Sequence, residues 1–284
     1  MSLLSLNELC IVIHPERVVL LHAVKVPTLR GFKRRVLARA QIPCEASGED
    51  APWRGAIKTL ATSLPYFAKR NMRVTVVLSN RFICYALVPW CDSLSGADEE
   101  MAYARHCFDD VYGEDADAWE LRLSPNSAGA PALASAVDKR LLEELRGLLA
   151  GVRVDVKSIQ PHVMTACNIL QASLSGRSAW LALLEPGNLC LGTLQKGQWT
   201  WLRKMRIGEI WQEELPMILE REACLSGADA QLVEVLVWAP HLHDASGEAW
   251  VPPGHRWKFR HLKAGYKHGF SLEHDGLLGM AEVN

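Results

Sequence analysis

The sequence has no long apolar run and no paired-cysteine motif. Its longest apolar stretches, 148–152 and 179–184, are far shorter than the roughly 20 residues that cross a bilayer. The first residues, Met1–Glu8, lack the basic segment of a secretory signal. None of the eight cysteines has CxxC spacing, and most lie in apolar stretches. We therefore expect no membrane span, and buried free thiols in a reducing cytoplasm.

An excess of charge of either sign is also absent. The chain carries 31 Lys and Arg residues against 32 Asp and Glu residues, which gives a formal net charge of −1. A protein that binds duplex nucleic acid usually shows a basic excess, so nucleic acid is disfavoured as a partner. Apolar residues make up 49% and charged residues 22% of the 284 residues, and this composition is typical of a soluble globular protein of about two domains.

The order of predicted elements is the same in the two halves of the chain. Apolar periodicity predicts three strands, a helix and a further strand in each half. In the first half these elements are 10–14, 17–25, 33–42, 53–70 and 73–79. In the second half they are 179–184, 189–195, 198–206, 208–223 and 232–238. The repeat predicts a duplicated α/β fold with two lobes and a cleft between them, each lobe being a mixed sheet with helices on both faces.

The chain between the two repeats carries further elements. Asn80-Arg81 is predicted to turn the chain into a partner strand for the one before it, and Asp138 and Gly151 are predicted to cap the two ends of one helix. The elements are strands 82–88, 119–123, 131–137 and 152–159, and helices 97–111, 139–150 and 162–174. We therefore predict an N-terminal lobe over 1–175 with a small inserted α+β subdomain at about 80–130. A shortened C-terminal lobe over 176–284 is predicted to have an irregular tail after residue 240.

Four ordered stretches carry a likeness to a known superfamily. They are Val74-Thr-Val-Val-Leu-Ser with Cys84-Tyr-Ala-Leu-Val-Pro, Asp98-Glu-Glu-Met-Ala-Tyr-Ala-Arg, Ala132-Leu-Ala-Ser-Ala-Val-Asp with Gly151-Val-Arg-Val-Asp-Val-Lys-Ser-Ile, and Ala182-Leu-Leu-Glu-Pro-Gly with Gly197-Gln-Trp-Thr-Trp-Leu-Arg-Lys-Met-Arg-Ile-Gly. Together they resemble the pilus-assembly branch of the actin-like (ribonuclease H-like) superfamily, which includes PilM, the cytoplasmic domain of GspL, and MshI. The likeness spans residues 9–240 and implies an actin-like fold with the internal duplication described above.

The resemblance also implies two phosphate-binding hairpins, for which actin-like ATPases use a D-x-G pattern. Glycine there lets backbone N–H groups approach the phosphates, and the aspartate organises Mg²⁺ and water. The first hairpin corresponds to Ile13-His14-Pro15-Glu16, which has no aspartate and no glycine, and Pro15 removes a backbone donor. The second corresponds to Glu185-Pro186-Gly187-Asn188, which keeps the glycine but has a longer acid and a proline.

A third departure concerns the nucleotide base. The family's adenosine-contacting Gly-Gly-Gly corresponds to Trp238-Ala239-Pro240, where the indole ring would fill space that glycine leaves for the base. The three departures imply a degenerate nucleotide site. We therefore expect no catalytic residue, no bound cofactor and no metal, with ATP and Mg²⁺ as the alternative.

Three functions remain open. The first, implied by the resemblance, is a non-enzymatic cytoplasmic scaffold of a type IV pilus or type II secretion-like machine, peripheral to the inner membrane. It would bind the cytoplasmic tail of a bitopic membrane protein, or an assembly ATPase. The second is an ATP-binding ATPase or kinase of the same fold that uses Glu185, Gly187 and Asn188. The third is a metal-dependent hydrolase built on the C-terminal histidines, His241, His243, His255, His261, His268 and His274, with Asp244.

Other clusters favour ordinary structural roles. The histidines are irregularly spaced among basic residues, which favours a solvated, partly interfacial face over a cation site. Lys33, Arg34 and Arg35 favour a charged edge strand over a nucleic-acid patch. Of the ten tryptophans, Trp199 and Trp201 are predicted to share one face of a strand; most tryptophans are expected in the core and one or two at a partner interface.

Overall fold

A computed structural model describes residues 6–28, 31–48, 50–124, 127–227, 232–239 and 254–262. The strands are β1 (Leu6–His14), β2 (Arg17–Thr28), β3 (Gly31–Pro43), β4 (Arg73–Leu78), β5 (Ile83–Val88), β6 (Trp119–Leu123), β7 (Ala132–Asp138), β8 (Asp155–Pro161), β9 (Ala179–Glu185), β10 (Asn188–Gln195), β11 (Gln198–Arg206), β12 (Glu234–Trp238) and β13 (Lys258–His261). The helices are α1 (Arg54–Phe67), α2 (Ala97–Tyr112), α3 (Lys139–Gly151), α4 (His162–Leu174) and α5 (Trp211–Ser226).

The chain divides into two compact units, each built from two separate segments. The first unit comprises the described residues up to Phe82 together with Asp138–Thr165. The second comprises Ile83–Val137 and the described residues from Ala166 onward. The predicted lobe boundary between residues 175 and 176 stays a prediction.

Each unit contains a five-stranded sheet, and the two sheets have the same topology. The order is β3-β2-β1-β4-β8 in the first unit and β11-β10-β9-β12-β13 in the second. In both, three antiparallel strands form a meander, and the first strand of the meander pairs in parallel with the fourth strand, which pairs in parallel with the fifth. The predicted duplication of a mixed α/β sheet is therefore confirmed, and β13 supplies the last strand that the sequence pattern did not show.

The helix α3 buries one apolar face. In α3 the buried residues are Leu141, Leu142, Leu145 and Leu149, at the three- and four-residue spacing of a helix stripe. The Asp138 carboxylate accepts a hydrogen bond from the Arg140 N–H over 2.8 Å, so the predicted N-cap is confirmed. Within the described part of the chain, no helix has both the length and the apolar character needed to cross a membrane.

The second sheet is covered by helix residues on both of its faces. On one face Leu215 and Leu219 of α5 join a core with Trp180 at its centre. Trp180 is fully buried, and its ring lies 5.8 Å from that of Trp201 and 6.0 Å from that of Trp257, edge-on in both cases. On the other face Cys167 of α4 lies close enough to interact electrostatically with Cys190 of β10.

A third sheet, in the order β5-β7-β6, lies within the second unit together with α2. Its core consists of Phe108 and Ala104 of α2 packed on the strands. The prediction that Asn80-Arg81 turns the chain into a partner of β4 is wrong, because β5 pairs with β7. A short 3₁₀ turn, Asn80–Phe82, separates β4 from β5 and directs the chain into the other sheet.

Two further local predictions are wrong for backbone reasons. Gly151 was predicted to lie just beyond α3 as its C-terminal cap, but it is the last residue within the helix. The left-handed backbone conformation is found instead at Arg153, with φ 56°. Trp199 and Trp201 lie on opposite faces because a bulge between Thr193 and Leu194 inserts one extra residue in β11. Trp201 packs on the Trp180 core, whereas the Trp199 ring lies over Gly192.

The strand β3 lies at the edge of the first sheet, as its charges predicted. Arg35 and Arg39 are exposed along it. A register shift opposite His22 leaves Leu37 unpaired and 49% exposed. Charges and a bulge on an edge strand both discourage pairing with another chain.

Candidate functional site

The first predicted phosphate hairpin is the turn between β1 and β2. His14 ends β1 and is fully buried, and Pro15 has no N–H to offer a ligand. The Glu16 N–H donates to His14 Nδ1 over 3.3 Å, and the Glu16 carbonyl accepts from the Cys44 N–H over 2.8 Å. A phosphate cradle needs backbone N–H groups that point at the ligand. In this turn Pro15 has no N–H, and the N–H of Glu16 is already bonded to the His14 side chain.

Buried polar residues follow the neighbouring strands at the same edge of the sheet. Ile13 pairs with Leu78, and Leu78 pairs with Pro161, so the residues that come directly after these three are adjacent. They are His14, Ser79 and His162, which are all fully buried. The Ser79 N–H donates to the Ile13 carbonyl over 2.9 Å. The carboxyl edge of the parallel strands is therefore occupied by a compact cluster of the unit's own polar groups.

Asn80 connects this edge to the start of α4. Its Oδ1 accepts from the Val163 N–H over 3.2 Å, and its Nδ2 lies 3.1 Å from His162 Nδ1. Because the amide oxygen faces the Val163 N–H, the amide nitrogen is the donor to His162. Asn80 itself is fully buried. Neither Asn80 nor His162 was predicted as a site residue, although Asn80 lies two residues after the end of β4 and His162 directly follows β8. A position just after the carboxyl end of a parallel strand is the signal that could have identified both.

The second predicted hairpin is the turn between β9 and β10. Glu185 and Asn188 flank it and are only 2% and 4% exposed. Pro186 followed by Gly187 with φ 71° has the sequence and backbone of a type II turn. A Cβ atom added at Gly187 would meet no atom within 4 Å. The turn conformation alone therefore explains the glycine.

Side chains beside this turn form a polar cluster on the sheet face opposite the Trp180 core. The strand register places Glu185 beside Asn188, and Cys190 between Leu183 and Lys204. Burial and the Glu185 carboxylate raise the pKa of the Cys190 thiol, against the opposing effects of the Lys204 ammonium and an Asn188 hydrogen bond. The Lys204 ammonium donates to the Ile83 carbonyl. The carboxylate at the position that corresponds to the family's aspartate is therefore almost fully buried beside Asn188.

The predicted base-contacting residues end β12. Trp238 is 3% exposed and pairs with Leu183, so it lies on the same sheet face as Cys190. Ala239 is buried in the Trp180 core on the opposite face. Pro240 lies outside the described residues. The structure thus places Glu185, Asn188 and Trp238 on one face of one sheet, and His14 and Pro15 in the turn of the other.

The histidine-rich tail is described only in part. His255 stacks edge-on against Phe259 with ring centroids 5.1 Å apart, and His261 ends β13. The residues His241, His243, Asp244, His268 and His274 lie outside the described part of the chain. Among the described residues, no group of three or more His, Cys, Asp or Glu side chains is arranged to hold a metal ion.

The reactivity of the cysteines in the second unit tests how deeply the polar cluster beside the second hairpin is buried. The Ser93 hydroxyl, 3.0 Å from Cys91 Sγ, and the Ser93 N–H lower the pKa of the Cys91 thiol, whereas burial raises the pKa of Cys167 to about 12. Because the thiolate is the reactive form, iodoacetamide at neutral pH should label Cys91 at least about tenfold faster than Cys167 or Cys190. Peptide mapping by mass spectrometry measures the rates.

A matched variant separates hydrogen bonding from simple exposure in that experiment. Ser93→Ala removes the hydroxyl and should slow the labelling of Cys91, while the exposed Cys224 keeps its rate. Rapid labelling of Cys190 in the folded protein would show that the polar cluster beside the second hairpin is open to solvent.

The sequence matches no protein-family profile and no curated protein. Solved structures are similar over most of the chain. The cytoplasmic domain of EpsL, an inner membrane component of the type II secretion system of Vibrio cholerae, aligns with a TM-score of 0.53 and 13% identity, over 91% of this chain and 90% of that one. A chain of the PilM–PilN type IV pilus biogenesis complex aligns with a TM-score of 0.56 and 14% identity, over 81% and 80%.

A third similar structure is a Bacteroides thetaiotaomicron protein of unknown function with an actin-like ATPase fold. It aligns with a TM-score of 0.53 and 8% identity, over 84% of this chain and 83% of that one. At these identities the likeness is one of fold. The chain therefore has the actin-like fold, as the resemblance implied.

Proposed function

We propose that this actin-fold chain is a non-enzymatic scaffold of a type IV pilus or type II secretion-like assembly, with a degenerate nucleotide site. The observation that carries the proposal is the first hairpin, where Pro15 supplies no N–H and His14 Nδ1 holds the N–H of Glu16. Backbone N–H groups contribute most of the binding in a phosphate cradle, so their loss removes the main attraction for the nucleotide phosphates.

The second hairpin supports the same proposal by its burial. The Glu185 carboxylate is almost fully buried, and a phosphate brought beside it would be repelled strongly in a medium of low dielectric constant. The Trp238 indole is buried on the same sheet face, where an adenine base would need open space. An ATPase would need each of these positions to face an accessible ligand.

The proposed role is to bind protein partners at the cytoplasmic side of the inner membrane. The partner we propose is the cytoplasmic tail of a bitopic membrane protein, or an assembly ATPase. Two of the similar structures come from such machines, a type II secretion system and a type IV pilus biogenesis complex. The protein would then reach the membrane through its partner.

The second candidate function is ATP binding at a modified phosphate site with Mg²⁺. One observation favours it: the tip of the second hairpin keeps a glycine at φ 71° with open space beside it. In that case Gly187, Glu185 and Asn188 would hold a phosphate, and another loop would supply the cation. The two candidates differ in whether the protein's associations depend on nucleotide.

Affinity purification of the tagged chain from its own cells tests the scaffold. After chemical cross-linking, components of a pilus or secretion machine should be enriched at least about tenfold over an unrelated tagged protein. Their recovery should be unchanged when ATP is first removed from the lysate with apyrase. Loss of all enrichment in untreated lysate would contradict the scaffold, and loss only after apyrase would favour the ATP-binding candidate.

A further inference from the structure

The segment Ile83–Val137 has a strongly uneven charge. It contains only two basic residues other than histidine, Arg105 and Arg122, and ten acidic ones: Asp92, Asp98, Glu99, Glu100, Asp109, Asp110, Glu114, Asp115, Asp117 and Glu120. Its formal charge is therefore −8, whereas the whole chain carries −1, which leaves +7 on the remaining residues. A surface potential of one sign attracts oppositely charged partners over a long range.

The stability of α2 explains only the acids at its start. Asp98, Glu99 and Glu100 in the first turn interact favourably with the helix dipole. Asp109 and Asp110 lie in the last turn, where the dipole disfavours negative charge, and both are exposed. Two basic residues lie one turn before these acids: His106, 3.7 Å from Asp110, and Arg105, four residues before Asp109. The acids at the end of α2 thus favour a role outside the fold.

A cavity with both apolar and polar walls opens beside this acidic helix. It has a volume of about 40 Å³ and is lined by Val88, Pro89, Trp90, Leu94, Tyr103 and Ala132, with Glu100 among its walls. A water needs roughly 10–15 Å³ by this measure, so the cavity has room for about three, the size of the end of a leucine side chain. Trp90 is 40% exposed, and its indole N–H donates to Asp92 over 2.6 Å. A fixed, exposed indole at a cavity is typical of a protein-binding hot spot.

We propose that the surface formed by α2 and the loop 89–94, the acidic docking surface, binds a basic segment of the partner protein whose aliphatic anchor enters this cavity. Charge complementarity selects the occupant: lysine and arginine side chains pair with the acids of α2, and one leucine-like side chain fills the cavity next to Glu100. This inference rests on the proposed scaffold function and specifies the chemistry of its partner.

Fluorescence anisotropy with labelled decapeptides tests the docking surface on the full chain. The probe has one central leucine flanked by lysines and arginines. One control peptide replaces the leucine by glycine, and the other replaces the basic residues by glutamates. The first control should bind at least about tenfold more weakly, because the pocket contact is lost, and the second should not bind.

Three variants of the protein sharpen the experiment. Glu100→Arg reverses a charge at the cavity, and Ala132→Leu fills the cavity. Each variant should bind the probe peptide about fivefold more weakly or worse. Glu143→Arg makes the same charge change on exposed α3 and should change binding less than about twofold. Circular dichroism confirms that all three variants are folded.

The contradicting outcomes are distinct. Equal weakening by Glu100→Arg and Glu143→Arg, equal binding of the leucine and glycine peptides, or no binding up to about 1 mM would each overturn the docking surface. Self-association that Glu100→Arg abolishes in sedimentation would assign the surface to a second copy and overturn it as well. If the peptide does not bind but affinity purification recovers the machine's components, only the docking surface is wrong. If both experiments fail, the proposed scaffold function is wrong as well.

Discussion

A Gly192→Ala variant is expected to unfold with a free energy about 2–3 kcal/mol below that of the wild-type protein. The added Cβ would lie 2.5 Å from Trp199 Cζ3 and 2.6 Å from the Trp201 carbonyl oxygen. The indole ring can shift, but the carbonyl belongs to β11, whose bulge holds Trp199 and Trp201 on opposite faces. Relief of the clash therefore requires movement of a paired strand. Urea denaturation followed by circular dichroism measures the loss.

The control for this prediction is Gly147→Ala. Gly147 is exposed in α3, and a Cβ there would meet no atom within 4 Å. Alanine should stabilise that helix by about 0.5–1 kcal/mol, because it reduces the freedom of the unfolded chain. Equal effects of the two substitutions would show that the second sheet does not pack Trp199 over Gly192.

Replacement of Asn80 by leucine is expected to cost about 2–4 kcal/mol of unfolding free energy. The side chains have similar size, so the main change is the loss of two buried hydrogen bonds. The Val163 N–H and His162 Nδ1 would lose their amide partner in a buried place, and each orphaned group costs about 1–3 kcal/mol. Thermal and urea unfolding measure the loss.

Asn71→Gly is the matched control for Asn80. Asn71 is exposed and has φ 61°, a conformation that glycine adopts without strain. Its substitution should change the unfolding free energy by less than about 0.5 kcal/mol. If Asn80→Leu were equally mild, the polar cluster at the carboxyl edge of the first sheet would not be the tightly bonded structure described above.

Much of the fold was predictable because it depends on local pattern. The strands β1, β2, β9, β10 and β11 alternate or run apolar in ways that define their length within a few residues. The cap at Asp138 follows from one side chain and one N–H two residues later. The repeated order of elements then fixed the duplicated α/β class, and the resemblance gave the actin-like fold.

The errors arose where distant contacts decide the outcome. The pattern of β5 is that of a strand, but its partner β7 lies about fifty residues further along the chain, as with Ile83 and Val137. The bulge opposite Thr193 reverses the face of Trp199, and strict alternation does not show it. Trp90 is 40% exposed, but the sequence alone could not distinguish it from the buried tryptophans.

The candidate site was predictable only as a set of positions. The sequence located both hairpins, and the departures at Pro15 and Trp238 could be read from it. The first hairpin depends on a bond between the His14 side chain and the Glu16 N–H, and the edge beside it depends on a bond between the distant residues Asn80 and His162. Those contacts join segments that are far apart in the chain, so no local pattern contains them.

The proposal that the nucleotide site is degenerate is tested most directly by titrating the protein with Mg-ATP in a calorimeter. We predict no saturable heat at millimolar ATP, and no change in the thermal unfolding temperature. Binding at micromolar ATP would contradict the account if Glu185→Ala abolished it while Glu213→Ala, an exposed acid on α5, left it unchanged.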